Sequence, residues 1–159
     1  MSIGLLDVNV LIALLWPEHV HHHKASVWFG QNRSSGWATC TITETGFARI
    51  TAQPAGGGRT LLASLDLLGL QGAEPDHSFW SLETPLADIL PEIKSRLAGH
   101  QQLTDAILLD LAIRRGGHLI TLDQGVKRLL PPNSPHQGAI VVIPDVQPEP
   151  PIGTFNVEL

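Results

Sequence analysis

The chain has 159 residues, 43% of them hydrophobic and gathered in separated blocks, which is a globular composition and excludes disorder. Its 15 acids outnumber 10 bases for a net charge of −5, so a whole-surface grip on nucleic acid is excluded and any such contact needs a local basic patch. Cys40 is the only cysteine, which rules out an intrachain disulfide and fits a reducing cytoplasm.

The length predicts a single domain over residues 1–147. Residues 3–6 form a short apolar run ending in a charge, Asp7, and read as a buried strand. Residues 8–15 read as a helix broken at Pro17. This opening stretch has no basic flank and is interrupted by Asp7 and Asn9, so it reads neither as a signal peptide nor as a membrane span. A second helix is expected over residues 19–30, with Val20, Val27 and Trp28 on one face and Gly30 as its stop. Residues 37–41 are a second strand, 43–50 a helix, 53–58 a loop and 61–68 an apolar helix. Residues 71–76 turn the chain, 79–82 are a weak strand and 86–97 an amphipathic helix.

The helix expected over 103–115 is apolar nearly all round in its middle, which predicts burial on more than one side. Gly116 and Gly117 stop it, residues 118–122 form a strand ending at Asp123, and 124–130 a short helix stopped by Pro131. Residues 139–143 are the last strand, and residues 148–159, containing PEPP, predict a loosely ordered tail. Short apolar strands alternating with helices predict an α/β fold with a parallel sheet covered on both faces. Ligands bind beyond the carboxyl ends of such strands, where Asp7 and Asp123 fall.

Four acids carry the chemistry: Asp7, Glu44, Asp105 and Asp123. Each follows a strand or opens a helix, and each has a local alternative. Asp7 serves equally as the cap of the first helix. Thr41-Ile42-Thr43-Glu44 fits a capping box. Asp105 suits the positive end of a helix dipole, and Asp123 suits a turn. As a set they say more. Two carboxylates about 5 Å apart repel by roughly 3 kcal/mol at an effective dielectric near 20. Three or four together need protons or cations, and an all-oxygen set suits Mg²⁺ or Mn²⁺. Such an ion makes a bound water more acidic and steadies charge on a phosphoryl oxygen, which points to phosphodiester hydrolysis.

The stretches LLDVNVLIAL, TITETGFARI, LTDAILLDLA and LITLDQG, in that order, resemble the PIN-domain ribonucleases over roughly residues 3–145. Within that family the chain is most similar to the VapC toxins of bacterial toxin–antitoxin pairs, a likeness that HVHHHKASVWF strengthens. The resemblance implies a three-layer α/β/α PIN-like fold with a mainly parallel sheet, and a Mg²⁺- or Mn²⁺-dependent endoribonuclease. It implies that Asp7, Asp105 and Asp123 hold metal and that Glu44 holds metal or orients water. Asn9 matches the small polar residue two after the first acid and would support it. Thr121 lies on the same strand face as Asp123 and would hydrogen-bond within the site. RNA as substrate, a cognate antitoxin, a homodimer and a cytoplasmic location are implied as well. The apolar stretches 61–68 and 11–15 are candidates for interface surface.

Other residues read more plainly. Asp110 lies about 140° around the helix from Asp105 and has Arg114 at i+4, a structural arrangement. His19, His22 and His23 have a spacing a helix could converge on a metal, but no acid accompanies them, and packing is the plainer role. Arg49, Arg114, Arg115, Lys127, Arg128, Lys24 and Arg33 are each open to either reading, phosphate contact or solvated charge. Two rival functions use the same residues. An aspartyl phosphatase would need an acid where Asn9 stands. A non-catalytic partner-binding module would have no use for mutually repelling acids.

Overall fold

The computed structural model describes residues 2–147; the expected tail over 148–159 lies outside the described residues. Five parallel strands make one sheet: β1 (Gly4–Leu6), β2 (Trp37–Thr39), β3 (His77–Phe79), β4 (His118–Thr121) and β5 (Ile140–Val142). Their order is β3-β2-β1-β4-β5. In register, Leu5 sits opposite Ala38 on one side and Leu119 on the other, and Leu119 sits opposite Ile140.

Successive strand residues point to opposite faces, and here both faces are covered. Leu5, Ala38, Leu119 and Ile140 pack into one core with α5 (Pro91–Lys94) and α6 (Leu103–Arg114). Leu6, Trp37 and Ile120 pack into a second core with α1 (Val8–Leu15), α3 (Thr41–Thr51) and α4 (Leu61–Gly72), against which α2 (His22–Asn32) adds Trp28 and Phe29. This is the expected three-layer α/β/α arrangement. It explains why the strands are unbroken apolar runs rather than alternating ones.

Several element boundaries shift by a few residues, and three departures from expectation bear on the fold. The third strand begins at His77 rather than Phe79: β3 is an edge strand paired only with β2, so it needs no apolar run, and the apolar Trp80 instead leaves the strand for the core. The helix expected over 86–97 breaks into a turn at Leu86–Asp88 and the single turn α5. Pro91 is the cause, since the residue before a proline is barred from helical geometry and Leu90 is extended, with φ −48° and ψ 131°. The histidine helix starts at His22, not at 19, and Val20 is solvent-exposed. The short helix expected over 124–130 is present, as a 3-10 helix at Gln124–Leu129.

Of the two apolar stretches considered as interface, Leu11, Ile12 and Ala13 are buried in the core, whereas Leu61, Leu62 and Leu65 on α4 are exposed. No described helix is long and apolar enough to cross a membrane.

Candidate active site

The strand order reverses its direction of growth between β1 and β4, which opens a crevice beyond their carboxyl ends. Asp7 is the first residue past β1, and its N–H donates to the Ile120 carbonyl at 2.9 Å, continuing the β1–β4 ladder to the acid itself. Its carboxylate accepts the Val8 N–H at 2.6 Å and the Thr121 hydroxyl at 2.9 Å. Asp7 therefore caps α1 and faces the crevice at once; the two readings are not exclusive. The Thr121 hydroxyl also accepts the Asp123 N–H at 3.0 Å, so one side chain ties both strand-end acids together. The Asp123 carboxylate in turn accepts the Gly125 N–H at 2.7 Å and caps the 3-10 helix that follows.

Asp105 is the third residue of α6 and has no hydrogen-bond donor acting on it among the described residues. Burial and then the charges of Asp7 and Asp123 push its carboxyl up to about 6. Asp7 is raised as well, by burial first and by the charge of Asp123, against the lowering effect of its Thr121 and Val8 hydrogen bonds. The charge of Asp123 thus acts on both Asp7 and Asp105, and the three acids line a single cleft of about 570 Å³, together with Asn9, Thr104 and Arg49. Asn9 is exposed on the first turn of α1, at the cleft's mouth.

Glu44 stands apart. The α3 helix is capped at Cys40, where the Thr43 hydroxyl accepts the Cys40 N–H and donates to the Cys40 carbonyl, both at 3.0 Å. The capping-box role for Glu44 therefore does not hold. Its carboxylate accepts the Thr39 hydroxyl at 2.6 Å, and that hydroxyl also lies 2.8 Å from His77 Nε2. Glu44 lines the neighbouring grooves on the α4 side of α3, one of them beside His77, rather than the cleft of the three aspartates.

Helix α3 forms the far wall of the cleft, and it approaches closely because Gly46 has no side chain. A Cβ there would lie 2.7 Å from Val8 Cγ2 and 2.8 Å from Val8 Cγ1.

Among the described residues no three His, Cys, Asp or Glu side chains form a ready-made metal cage. The donor set still fits a hard cation. Mg²⁺ keeps several waters and takes only one or two carboxylates directly, and Asp7, Asp105 and Asp123 offer oxygen alone from one cleft.

The remaining residues are accounted for structurally. Asp110 is buried and accepts the Leu90 N–H at 2.7 Å and Arg114 Nε at 2.8 Å. His22 Nδ1 donates to the Ala13 carbonyl at 2.8 Å. His19 packs edge-on against Trp16, with centroids 5.6 Å apart, and its Nδ1 accepts the His21 N–H. Their rings serve to pin the turn after α1. Thr39, His77 and the cleft position of Arg49 are not apparent from the sequence. His77 reaches Thr39 only through the β2–β3 pairing, for which no local spacing is a signal.

The PIN domain family model matches residues 4–129. Ribonuclease VapC44 of Mycobacterium tuberculosis (strain ATCC 25618 / H37Rv) is 39% identical over 135 residues, covering 84% of this chain and 95% of the relative. Ribonuclease VapC39 of the same strain is 42% identical over 129 residues, covering 76% and 88%. Among solved structures, VapBC2 from Rickettsia felis, bound to a DNA fragment from their promoter, superposes with a TM-score of 0.57 at 12% identity, over 80% of this chain and 93% of that one. The order of the motifs, the five-stranded parallel sheet and these relatives agree: the chain belongs to the PIN-domain family, in its VapC branch.

Proposed function

We propose that this protein is a divalent-metal-dependent endoribonuclease, the toxin of a toxin–antitoxin pair, which hydrolyses RNA at the cleft of Asp7, Asp105 and Asp123. One observation carries the reading. Three carboxylates line one cleft, and two of them, Asp7 and Asp105, are raised by burial and by the charge of neighbouring carboxylates, Asp123 acting on both. At neutral pH that arrangement costs the fold stability, and a bound cation is what would offset the cost. Relatives that bear the name ribonuclease support the same chemistry.

In this reading Asp7, Asp105 and Asp123 hold Mg²⁺ or Mn²⁺. When bound, the ion supplies a more acidic water and neutralises charge on the phosphoryl oxygen. The protein's own part is placement. Thr121 and the Val8 N–H fix both oxygens of Asp7, so that carboxylate meets a ligand without reorienting. Asn9 offers an amide at the mouth of the cleft. Glu44, the fourth acid of the expected quartet, is held by Thr39 outside the lining of this cleft, so the part it takes is indirect, through the setting of the α3 wall. Pairing with an antitoxin, dimerisation and a cytoplasmic site of action belong to the same reading. The exposed leucines of α4 offer apolar area for such contacts.

The test is RNA cleavage by the purified protein with added Mg²⁺ or Mn²⁺ and after chelation. Asp7→Asn keeps a capping side chain and is expected to abolish cleavage while preserving the fold. A variant that cuts as well as wild type, or cleavage indifferent to chelation, would defeat the proposal.

A further inference from the structure

The cleft has a second wall with the opposite character. Thr41, Thr45 and Arg49 recur every fourth residue along α3, so they form one stripe on one helix face. All three are exposed and all three line the cleft opposite the acids. Among the described residues Arg49 is the only cation on that lining.

Arg49 is also uncommitted. Several other cations of this chain are tied to carboxylates: Arg33 to Asp76 and Glu74, Arg114 to Asp110, Lys24 to Asp145. No such ion pair includes Arg49 among the described residues. Nor does it offset the cleft acids, since the charges acting on Asp7 and Asp105 are those of other carboxylates alone. A guanidinium on the rim of an acidic cleft, yet not paired with its acids, is free for a ligand that brings its own negative charge. Its planar fork matches a phosphate. A chain of net charge −5 needs such a point to hold a polyanion at all.

We propose that Arg49 is a phosphate-binding residue that seats the backbone of single-stranded RNA on the α3 wall, with the Thr41 and Thr45 hydroxyls as neutral donors along the same stripe. The contact lies across the cleft from Asp7, Asp105 and Asp123, so it would hold a phosphate other than the one being cut. This assignment rests on the ribonuclease reading above and adds to it the residue that grips the substrate.

The experiment measures binding of a single-stranded RNA oligonucleotide to the full chain carrying Asp7→Asn, in Mg²⁺, across a range of salt concentrations. Asp105→Asn, at a half-exposed position, provides a second background. Adding Arg49→Ala is expected to weaken binding about tenfold and to flatten the plot of log affinity against log salt by about 0.7, the share of one phosphate contact on a single strand. Arg49→Lys should restore the slope with part of the affinity. Arg115→Ala, at the far end of α6, should change neither. In the otherwise wild-type enzyme, Arg49→Ala should raise KM more than it lowers kcat. Unchanged affinity, or weaker binding with an unchanged slope, overturns the assignment. If both the Asp7→Asn and Asp105→Asn chains still cleave the RNA, it is the location of the active site that fails, and the binding slopes by themselves still decide whether Arg49 holds a phosphate.

Discussion

Two aspartates five residues apart on α6 live in opposite circumstances. Asp110, in the middle of the helix, is 3% exposed and fully employed: it accepts the Leu90 N–H and Arg114 Nε, and Arg114 goes on to the Asp88 carbonyl at 2.9 Å. It fastens the segment around α5 to the face of α6. Asp105, in the first turn, has no donor acting on it among the described residues, and its charged neighbours are two more carboxylates. A buried acid is therefore not in itself a sign of function. What separates the two is whether the fold has answered the carboxylate's demand for partners. Where it has, the acid is architecture; where other acids crowd in instead, it is waiting for a ligand.

Exchanging the two losses is the severest test of that contrast. Asp105→Asn should reduce metal-dependent RNA cleavage by more than about a hundredfold while leaving the ion-free protein at least as stable as wild type. Asp110→Ala should do the reverse. It should cost about 2–3 kcal/mol in a denaturant titration, by leaving the Leu90 N–H and Arg114 without their acceptor, with cleavage per folded molecule unchanged. A folded but inactive Asp110→Ala would erase the distinction.

A smaller effect is expected in the pH dependence of stability without metal. Asp105 rises from 3.8 to about 6 on folding, so the folded state favours the protonated carboxyl. Its contribution to stability is fully present below about 3.8 and is lost as pH rises through about 6. In chelator, Asp105 therefore pushes the thermal midpoint up as pH falls from 7 towards 5.5, against His19 and His77, whose burial lowers their pKa and makes their protonation oppose folding. Asp105→Asn should remove the Asp105 share and leave a steeper fall or a weaker climb than wild type. At lower pH, Asp76, held down to about 2 by Arg33, pulls the other way: its contribution is lost as pH falls below the ordinary carboxylate range. A pH profile between 7 and 5.5 that Asp105→Asn leaves untouched would contradict this role for Asp105.

The smallest change concerns the acid outside the cleft. Thr39→Val keeps the shape of a buried residue but removes the hydroxyl between Glu44 and His77, and should slow cleavage about tenfold through kcat, with Thr39→Ser restoring it. Equal activity in the valine variant would mean that the orientation of Glu44 is immaterial.

Much of this can be read from the chain itself. The strands are legible because burial on both faces makes them unbroken apolar runs, as at Leu119 and Ile120. Asp7 and Asp123 are legible because a charge directly after such a run has to lie at the sheet's carboxyl edge. The edge strand at His77 is not, since an edge demands no such run, and the proline before Glu92 undoes a helix whose periodicity looks sound. Nor can spacing reveal that Glu44 leans on Thr39 and, through it, on His77. That contact exists only because β2 and β3 lie side by side. The uncommitted state of Arg49 is likewise visible only once the cleft and its neighbouring charges are laid out in space.

Gly46 carries one more consequence. Because α3 rests on Val8 with nothing between them, and Val8 is bonded to Asp7, the donor wall and the acidic floor share a single pivot. On the ribonuclease reading, the gape offered to a nucleic-acid strand is set in part by a missing methyl group: an alanine at Gly46 would meet Val8 and push the two walls apart.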